Sequence, residues 1–268
     1  MSGLLQTVRR RPGDALLTLF AVLAFTYLFV PIGYVVAFSF NDGRRSNLVW
    51  RGFTWDNWLN PCGAPGVCEA LGNSIRIGLL ATLVATALGT LLAYALVRYR
   101  FRARGAINLL IFLPMATPEV VLGASLLAQF LNVGASLGYW TIVAAHIMFT
   151  LSFVVVTVKA RVATLDPRLE EAAADLYASS AQTFLRVTLP LLLPGIAAAA
   201  LLAFSLSFDD FIITNFNSGN TDTFPKFVYV AAARGIPAQA YVIGSAMFAL
   251  SLLVVLAGRL LTLRRGRP

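Results

Sequence analysis

Charge is scarce in this chain. Asp, Glu, Lys and Arg make up 12% of its 268 residues, against about 25% in an ordinary soluble domain. Such a sequence cannot clothe a water-facing surface in the usual way. Histidine occurs once, as His146, and cysteine twice, as Cys62 and Cys68, so the His/Cys sets that hold zinc or iron–sulfur clusters are not available. No G-x-x-x-x-G-K-[ST] run is present, and without that phosphate-cradling loop the chain is not expected to hydrolyse ATP itself. No Ser/His/Asp arrangement has a spacing that supports nucleophilic catalysis either. These absences argue against an enzyme.

What fills the chain instead is apolar: 58% of the residues are hydrophobic, and the mean hydropathy is +0.77. Stretches of about 18 or more apolar residues are long enough to cross a bilayer. They recur at about 15–40, 74–97, 106–130, 139–158, 192–214 and 237–262. The first is too long for the hydrophobic part of a signal peptide, and no small-residue cleavage site follows it, so it reads as a retained span. The expectation is an all-α integral membrane protein with six transmembrane helices forming a single domain over 1–268. Arg9, Arg10, Arg11, Arg98, Arg100, Arg102, Arg104, Lys159, Arg161, Arg168, Arg186, Arg259, Arg264, Arg265 and Arg267 fall on one side of that topology. Only Arg44, Arg45, Arg51, Lys226 and Arg234 fall on the other. The crowded side is cytoplasmic by the positive-inside rule, which places both termini in the cytoplasm. The net charge of +9 is largely this collar and needs no nucleic acid to explain it.

Cys62 and Cys68 both lie in the first external connection, in "PCGAPGVC". On an oxidising face, two cysteines closing a short Gly/Pro loop read as a disulfide. "FTWDNW" (53–58) in the same connection suits a short helix at the membrane interface, where Trp and Tyr concentrate. His146 lies inside a predicted span and reads as a packed, hydrogen-bonded helix residue rather than a ligand. "GASLG" (134–138) has a small-xxx-small pattern but falls in a loop, so it is not read as a dimerisation face.

Acidic residues at membrane depth are costly and rarely face lipid. Glu119 follows Pro114 and Pro118 in "LPMATPEVVLG", where the prolines should kink or break the third span. It reads either as a pathway residue or as a capping group beside the break. Asp209 and Asp210 lie near the external end of the fifth span, between Phe208 and Phe211. Neighbours on a helix point about 100° apart, so one carboxylate can face a pathway while the other caps a helix or meets a neighbour. Phe208, Phe211, Tyr139 and Trp140 offer faces for cation–π attraction to alkylammonium groups.

The most polar segment is "EEAAADLYASSAQTFLRVTLP" (170–190). Asp166 and Pro167 form a good helix start, with Glu170 and Glu171 near the positive end of the dipole. Leu165, Leu169, Ala172, Ala173 and Leu176 give one narrow apolar face. Ser179 and Gln182 fit a capping box, so a second helix begins there and runs toward Pro190. Two short cytoplasmic helices joined near Tyr177 and Ala178 are expected, feeding the fifth span.

Glu171-Ala172-Ala173, three further residues and Tyr177, then nine residues and Val187-Thr188-Leu189-Pro190, resemble the EAA loop of bacterial ABC-importer permeases. Tyr177 is the departure, because the motif has glycine there. A tyrosine in a left-handed turn costs on the order of 1 kcal/mol, so either the turn is built differently or the ring adds contact area. The stretches 73–99, 113–123 and 203–219 look most like the spermidine/putrescine type of this family. The resemblance implies the ABC-importer permease fold in a bacterial inner membrane, with 159–190 as the coupling loop. Glu170, Glu171, Ala172, Ala173, Asp175, Tyr177, Ala178 and Pro190 would then face a cytoplasmic ATPase. It also implies a sister permease, two ATPase copies that bind ATP and Mg, and an extracytoplasmic substrate-binding protein, with no cofactor in this chain. Glu119, Phe208, Asp209, Asp210 and Phe211 are the candidate pathway residues for a small organic cation. A different solute (an amino-acid derivative, an opine or iron) remains open, as does a gradient-driven transporter. The latter should show paired broken helices, and the sequence shows one Pro-broken span.

Overall fold

The computed structural model describes residues 12–43 and 49–265. These form α1 (Pro12–Phe38), α2 (Asp56–Leu59), α3 (Val67–Arg98), α4 (Arg104–Ala116), α5 (Glu119–Asn132) and α6 (Tyr139–Ala163). After them come α7 (Arg168–Asp175), α8 (Ser180–Thr183), α9 (Leu189–Asp209), α10 (Ile212–Asn217), α11 (Phe224–Ala232) and α12 (Ala238–Arg265). Among the described residues there is no strand, only an isolated antiparallel bridge between Asn41 and Phe53. Among the described residues five helices are long and apolar enough to cross a membrane: 16–38, 67–98, 139–163, 180–209 and 238–256.

The predicted third span is not one helix. α4 and α5 meet at 111° across Thr117 and Pro118. Pro114 sits inside α4 without ending it; the break falls at Pro118, which forces Thr117 into an extended conformation (ψ 133°) by crowding the preceding backbone. The fifth span is also shorter than its apolar run. It ends at Asp209, and Asp210 is extended (ψ 124°), so residues 210–211 are a break and α10 starts at Ile212. The structure therefore holds a second broken helix that periodicity did not reveal. The helix expected over 53–58 is a single turn, α2, and α3 begins at Val67, ahead of the expected 74.

Two compact units can be distinguished, 68–230 and the pair of terminal stretches 1–67 with 231–268. In the terminal unit α1 pairs with α12; Tyr34 stacks on Phe38 (4.1 Å) and meets Tyr241 edge-on (6.2 Å). The segment after α1 is tied back on itself. Trp58 Nε1 donates to Ser39 Oγ (3.1 Å), Asn57 Nδ2 donates to Asn41 O (2.9 Å), and Phe40 stacks on Phe53 and Trp58. Cys62 and Cys68 are disulfide-bonded, as their shared loop led us to expect.

The central unit is built on α3, α6 and α9. Its largest core cluster joins Ala85, Ala93 and Leu96 to Val154, Val155, Val158 and Val162 and to Leu192, Ala199 and Ala203. Lipid tails are as apolar as leucine, so membrane helices associate through close packing of small residues. The alanines of α3 and α9 supply that closeness against the valines of α6. A second cluster joins Leu122 of α5, Ala145 and Phe149 of α6 and Ile213 of α10.

α3 and α6 approach closely at Gly89, where an added methyl carbon would lie 2.6 Å from Val154 Cγ1 and 3.0 Å from its Cβ. Valine is stiff at χ1 and cannot swing aside. Gly89→Ala is therefore expected to destabilise the chain by about 1–3 kcal/mol. Gly33→Ala, which meets nothing within 4 Å, serves as the control. Unfolding temperatures of the two variants in one detergent compare them, and equal values would contradict the packing described.

Candidate functional site

Two polar constellations stand out in the central unit. The first is the connection between α6 and α9. Asp166 accepts from the N–H of Arg168 (3.0 Å) at the start of α7, and the N–H groups of Glu170 and Glu171 are held by Pro167 O. The capping box forms as expected: Ser179 N donates to Gln182 Oε1 (2.9 Å) and Gln182 N to Ser179 Oγ (3.3 Å). From α8 the helix widens into a π turn over Phe184–Thr188, closed by Leu189 N donating to Phe184 O. Pro190 follows at once; its ring would clash with the carbonyl four residues back in a regular α-helix, and the wider turn relieves that clash.

Tyr177 has φ +59°, the only left-handed non-glycine residue among those described. The N–H of Ala178 donates to Ala173 O (3.1 Å) and that of Tyr177 to Ala174 O (2.9 Å). These are the two bonds of a Schellman termination. The turn is thus the one a glycine would make, accepted by a tyrosine whose side chain is 97% exposed. Of the two alternatives posed by the sequence, a differently built turn is ruled out. The ring makes no packing that would offset its strain within the chain.

The two glutamates have separate surroundings. Glu171, Ala172 and Asp175 are exposed, as is Pro190. Glu170 faces inward. Its Oε1 accepts from Arg98 Nε (3.1 Å) and Thr188 Oγ1 (3.1 Å), and its Oε2 from Tyr94 OH (3.3 Å). Arg98 also donates through Nη2 to Leu165 O (3.1 Å). One carboxylate thus fastens the end of α3 to α7 and to the π turn. The expected apolar face is only partly covered: Ala173 is buried and Leu165 packs on the core, whereas Leu169 and Leu176 are open.

The second constellation lies at the break between α9 and α10. Asp210 is buried; its Oδ1 accepts from Ile213 N (3.3 Å) and its Oδ2 from Thr214 N (2.8 Å) and Thr214 Oγ1 (2.9 Å). It caps α10, so this acid is spent on structure. His146 meets it, with Nε2 3.2 Å from Asp210 Oδ2 and Nδ1 2.7 Å from Ser207 Oγ. The histidine is the packed, hydrogen-bonded residue expected. Its partners lie 61 to 68 positions away in sequence, which no local pattern could reveal.

Asp209, one position earlier, is exposed, and so is Glu119 at the first turn of α5. The helices that follow the two breaks pack together, α5 against α10. Asn217 Nδ2 donates to Gly123 O (3.3 Å), and the backbone at Gly123 approaches Phe216 so closely that an added methyl carbon would lie 2.9 Å from its ring. Phe211 stacks on Tyr229 (4.2 Å) and Phe208 on Phe204 (5.8 Å), while Tyr139 packs with the cluster of Ile77, Ile142 and Val143 and Trp140 is 72% exposed. Phe208 and Phe211 are each engaged with another ring.

Residues 85–266 match the family described as the binding-protein-dependent transport system inner membrane component. The chain belongs to that family. It is 36% identical over 244 residues to the spermidine/putrescine transport system permease protein PotC of Haemophilus influenzae, spanning 91% of this chain and 95% of the relative. It is 34% identical over 223 residues to the putrescine transport system permease protein PotI of Escherichia coli strain K12, spanning 80% and 79%. Among solved structures, a bacterial ABC transporter involved in importing the acidic polysaccharide alginate shares the fold at a TM-score of 0.67 and 16% identity, over 95% of this chain and 97% of that one. The chain is thus a multi-pass ABC-type permease with a polar connection before α9 and a broken-helix pair around Asp209 and Glu119.

The strain at Tyr177 makes a direct expectation. Tyr177→Gly should raise stability by about 1 kcal/mol, since glycine adopts the left-handed conformation freely. The shift is read as an increase in unfolding temperature of the purified chain; a decrease would mean that the ring packs against this chain after all.

Proposed function

We propose that this chain is one of two permease subunits of an ATP-driven importer for polyamines, of the spermidine/putrescine kind. The observation that carries the reading is its match to nearly the whole length of a spermidine/putrescine permease. In this reading the whole chain is one permease domain crossing a bacterial inner membrane six times, the bent pair α4–α5 counting as one crossing. Both termini lie in the cytoplasm, where the arginine collar favours them.

The chemistry agrees. A polyamine carries several ammonium groups, and an unpaired charge in a low-dielectric passage is penalised by several kcal/mol. Asp209 and Glu119 are exposed carboxylates beside helix breaks, and each offers such a group a partner. Asp210 does not, because its oxygens are taken up by His146, Ile213 and Thr214. A sister permease completes the pathway, and an extracytoplasmic binding protein delivers the solute. Two copies of a cytoplasmic ATPase bind ATP and Mg; this chain contributes no catalytic group.

α7, α8 and the turn between them receive the ATPase. Leu176 and Tyr177 stand 82% and 97% exposed at the tip and supply apolar contact, with Glu171 and Asp175 beside them. Glu170 and Arg98 fasten this piece to α3, so a push on α7 is passed to a membrane helix as a rigid displacement.

The test is uptake of labelled spermidine and putrescine into vesicles holding the assembled importer. Glu171→Lys is expected to abolish uptake and to reduce co-purification of the ATPase while the chain still inserts. Unchanged transport would remove Glu171 from coupling, and failure of the unaltered importer to take up either polyamine would overturn the substrate reading.

A further inference from the structure

His146 does more than fill space. It projects from α6 and reaches both sides of the break in the next long helix: Ser207 lies within α9, and Asp210 and Thr214 lie beyond its end. All four side chains are buried, with exposures of 1% for His146, 4% for Ser207, 7% for Asp210 and 0% for Thr214. One arrangement of protons satisfies the set. The Ser207 hydroxyl donates to Nδ1, Nε2–H is shared between Asp210 Oδ2 (3.2 Å) and Thr214 Oγ1 (3.0 Å), and the Thr214 hydroxyl and the N–H groups of Ile213 and Thr214 complete the shell of that carboxylate. A neutral imidazole is enough, and no ring nitrogen is left over. An apolar ring of the same size would fill the space but leave Asp210 without its side-chain donor from α6.

We propose that His146 is a positioning residue for the transport pathway: by holding Asp210 across the α9–α10 break, it keeps the neighbouring Asp209 carboxylate on the open side, where it meets an ammonium group of the solute. The two carboxylates are adjacent in sequence and differ in what their surroundings offer. Only one can cap α10, since the N–H groups of Ile213 and Thr214 form a single acceptor position. With the imidazole in place Asp210 is the better-satisfied occupant. Without it Asp210 is buried with one donor fewer, and Asp209, one residue away, competes for the cap and turns inward. The identity of the solute rests on the polyamine reading; the positioning of residue 209 does not.

The experiment therefore has two arms. In the first, the Asp209 carboxylate itself is labelled in the purified importer by a water-soluble carbodiimide and a cationic amine, and modification of residue 209 is followed by peptide mass spectrometry. His146→Ala is expected to slow labelling roughly tenfold to a hundredfold, the range for losing a hydrogen bond to a charged group. His146→Gln, whose amide can donate to Asp210, restores the rate. His146→Asn, too short to reach that carboxylate, behaves as alanine does and gives a second reading if the alanine variant fails to accumulate. In the second arm, His146→Ala raises the KM for spermidine uptake by a similar factor with a smaller change in kcat, and His146→Gln restores it. Equal labelling with and without the imidazole, or a glutamine variant as impaired as the alanine one, overturns the proposal. If the unaltered importer takes up neither spermidine nor putrescine while the labelling differences persist, the substrate reading falls and the positioning role stands.

Discussion

A helix that breaks inside an apolar protein must find partners for the backbone groups it frees, because the bilayer core supplies none. At the end of α9 that partner is the carboxylate of Asp210, which takes the N–H groups of Ile213 and Thr214 and is itself met by His146. With those bonds in place α10 can turn away from α9 and lie against α5, where Gly123 lets Phe216 approach and Asn217 donates to Gly123 O. The same packing ties the helix that follows the second break, at Pro118, to the helix that follows the first. Two exposed acids, Asp209 and Glu119, end up flanking broken helices instead of being buried in continuous ones.

The connection before α9 obeys the same requirement in a more polar setting. Glu170 collects three donors from three places in the sequence, Tyr94, Arg98 and Thr188, which makes α7 an extension of α3 rather than a loose appendage. The turn that follows carries strain at Tyr177 and exposes it fully. Backbone strain that persists with no compensating contact within the chain is a signature of functional sites, and it agrees with a partner covering this tip.

Much of this was legible in the sequence, where the signal is local. Apolar runs placed the long helices, the capping box at Ser179 located the start of α8, and two cysteines in one short loop gave the disulfide. The break at Pro118 was visible because proline writes it into the chain. The break at Asp210 was not, since "SLSFDDFIITNF" has neither proline nor glycine there, and the cap that makes it depends on His146 more than sixty residues earlier. For the same reason the adjacent acid pairs looked alike. Glu170 and Glu171, like Asp209 and Asp210, separate only when distant partners claim one member of each. The packing partners of Phe211 and Tyr139 were likewise not legible, because Tyr229 and Ile77 are distant in sequence from the rings they meet.

That division of labour between neighbouring acids can be measured by comparing Asp209→Asn with Asp210→Asn in the same purified importer, each by unfolding temperature and by spermidine uptake. Asp210→Asn is expected to lower the unfolding temperature, because a buried, hydrogen-bonded carboxylate at a helix break is lost. Asp209→Asn is expected to leave that temperature unchanged yet sharply reduce uptake. Equal unfolding temperatures for the two variants, or normal uptake by Asp209→Asn, would contradict that division of labour.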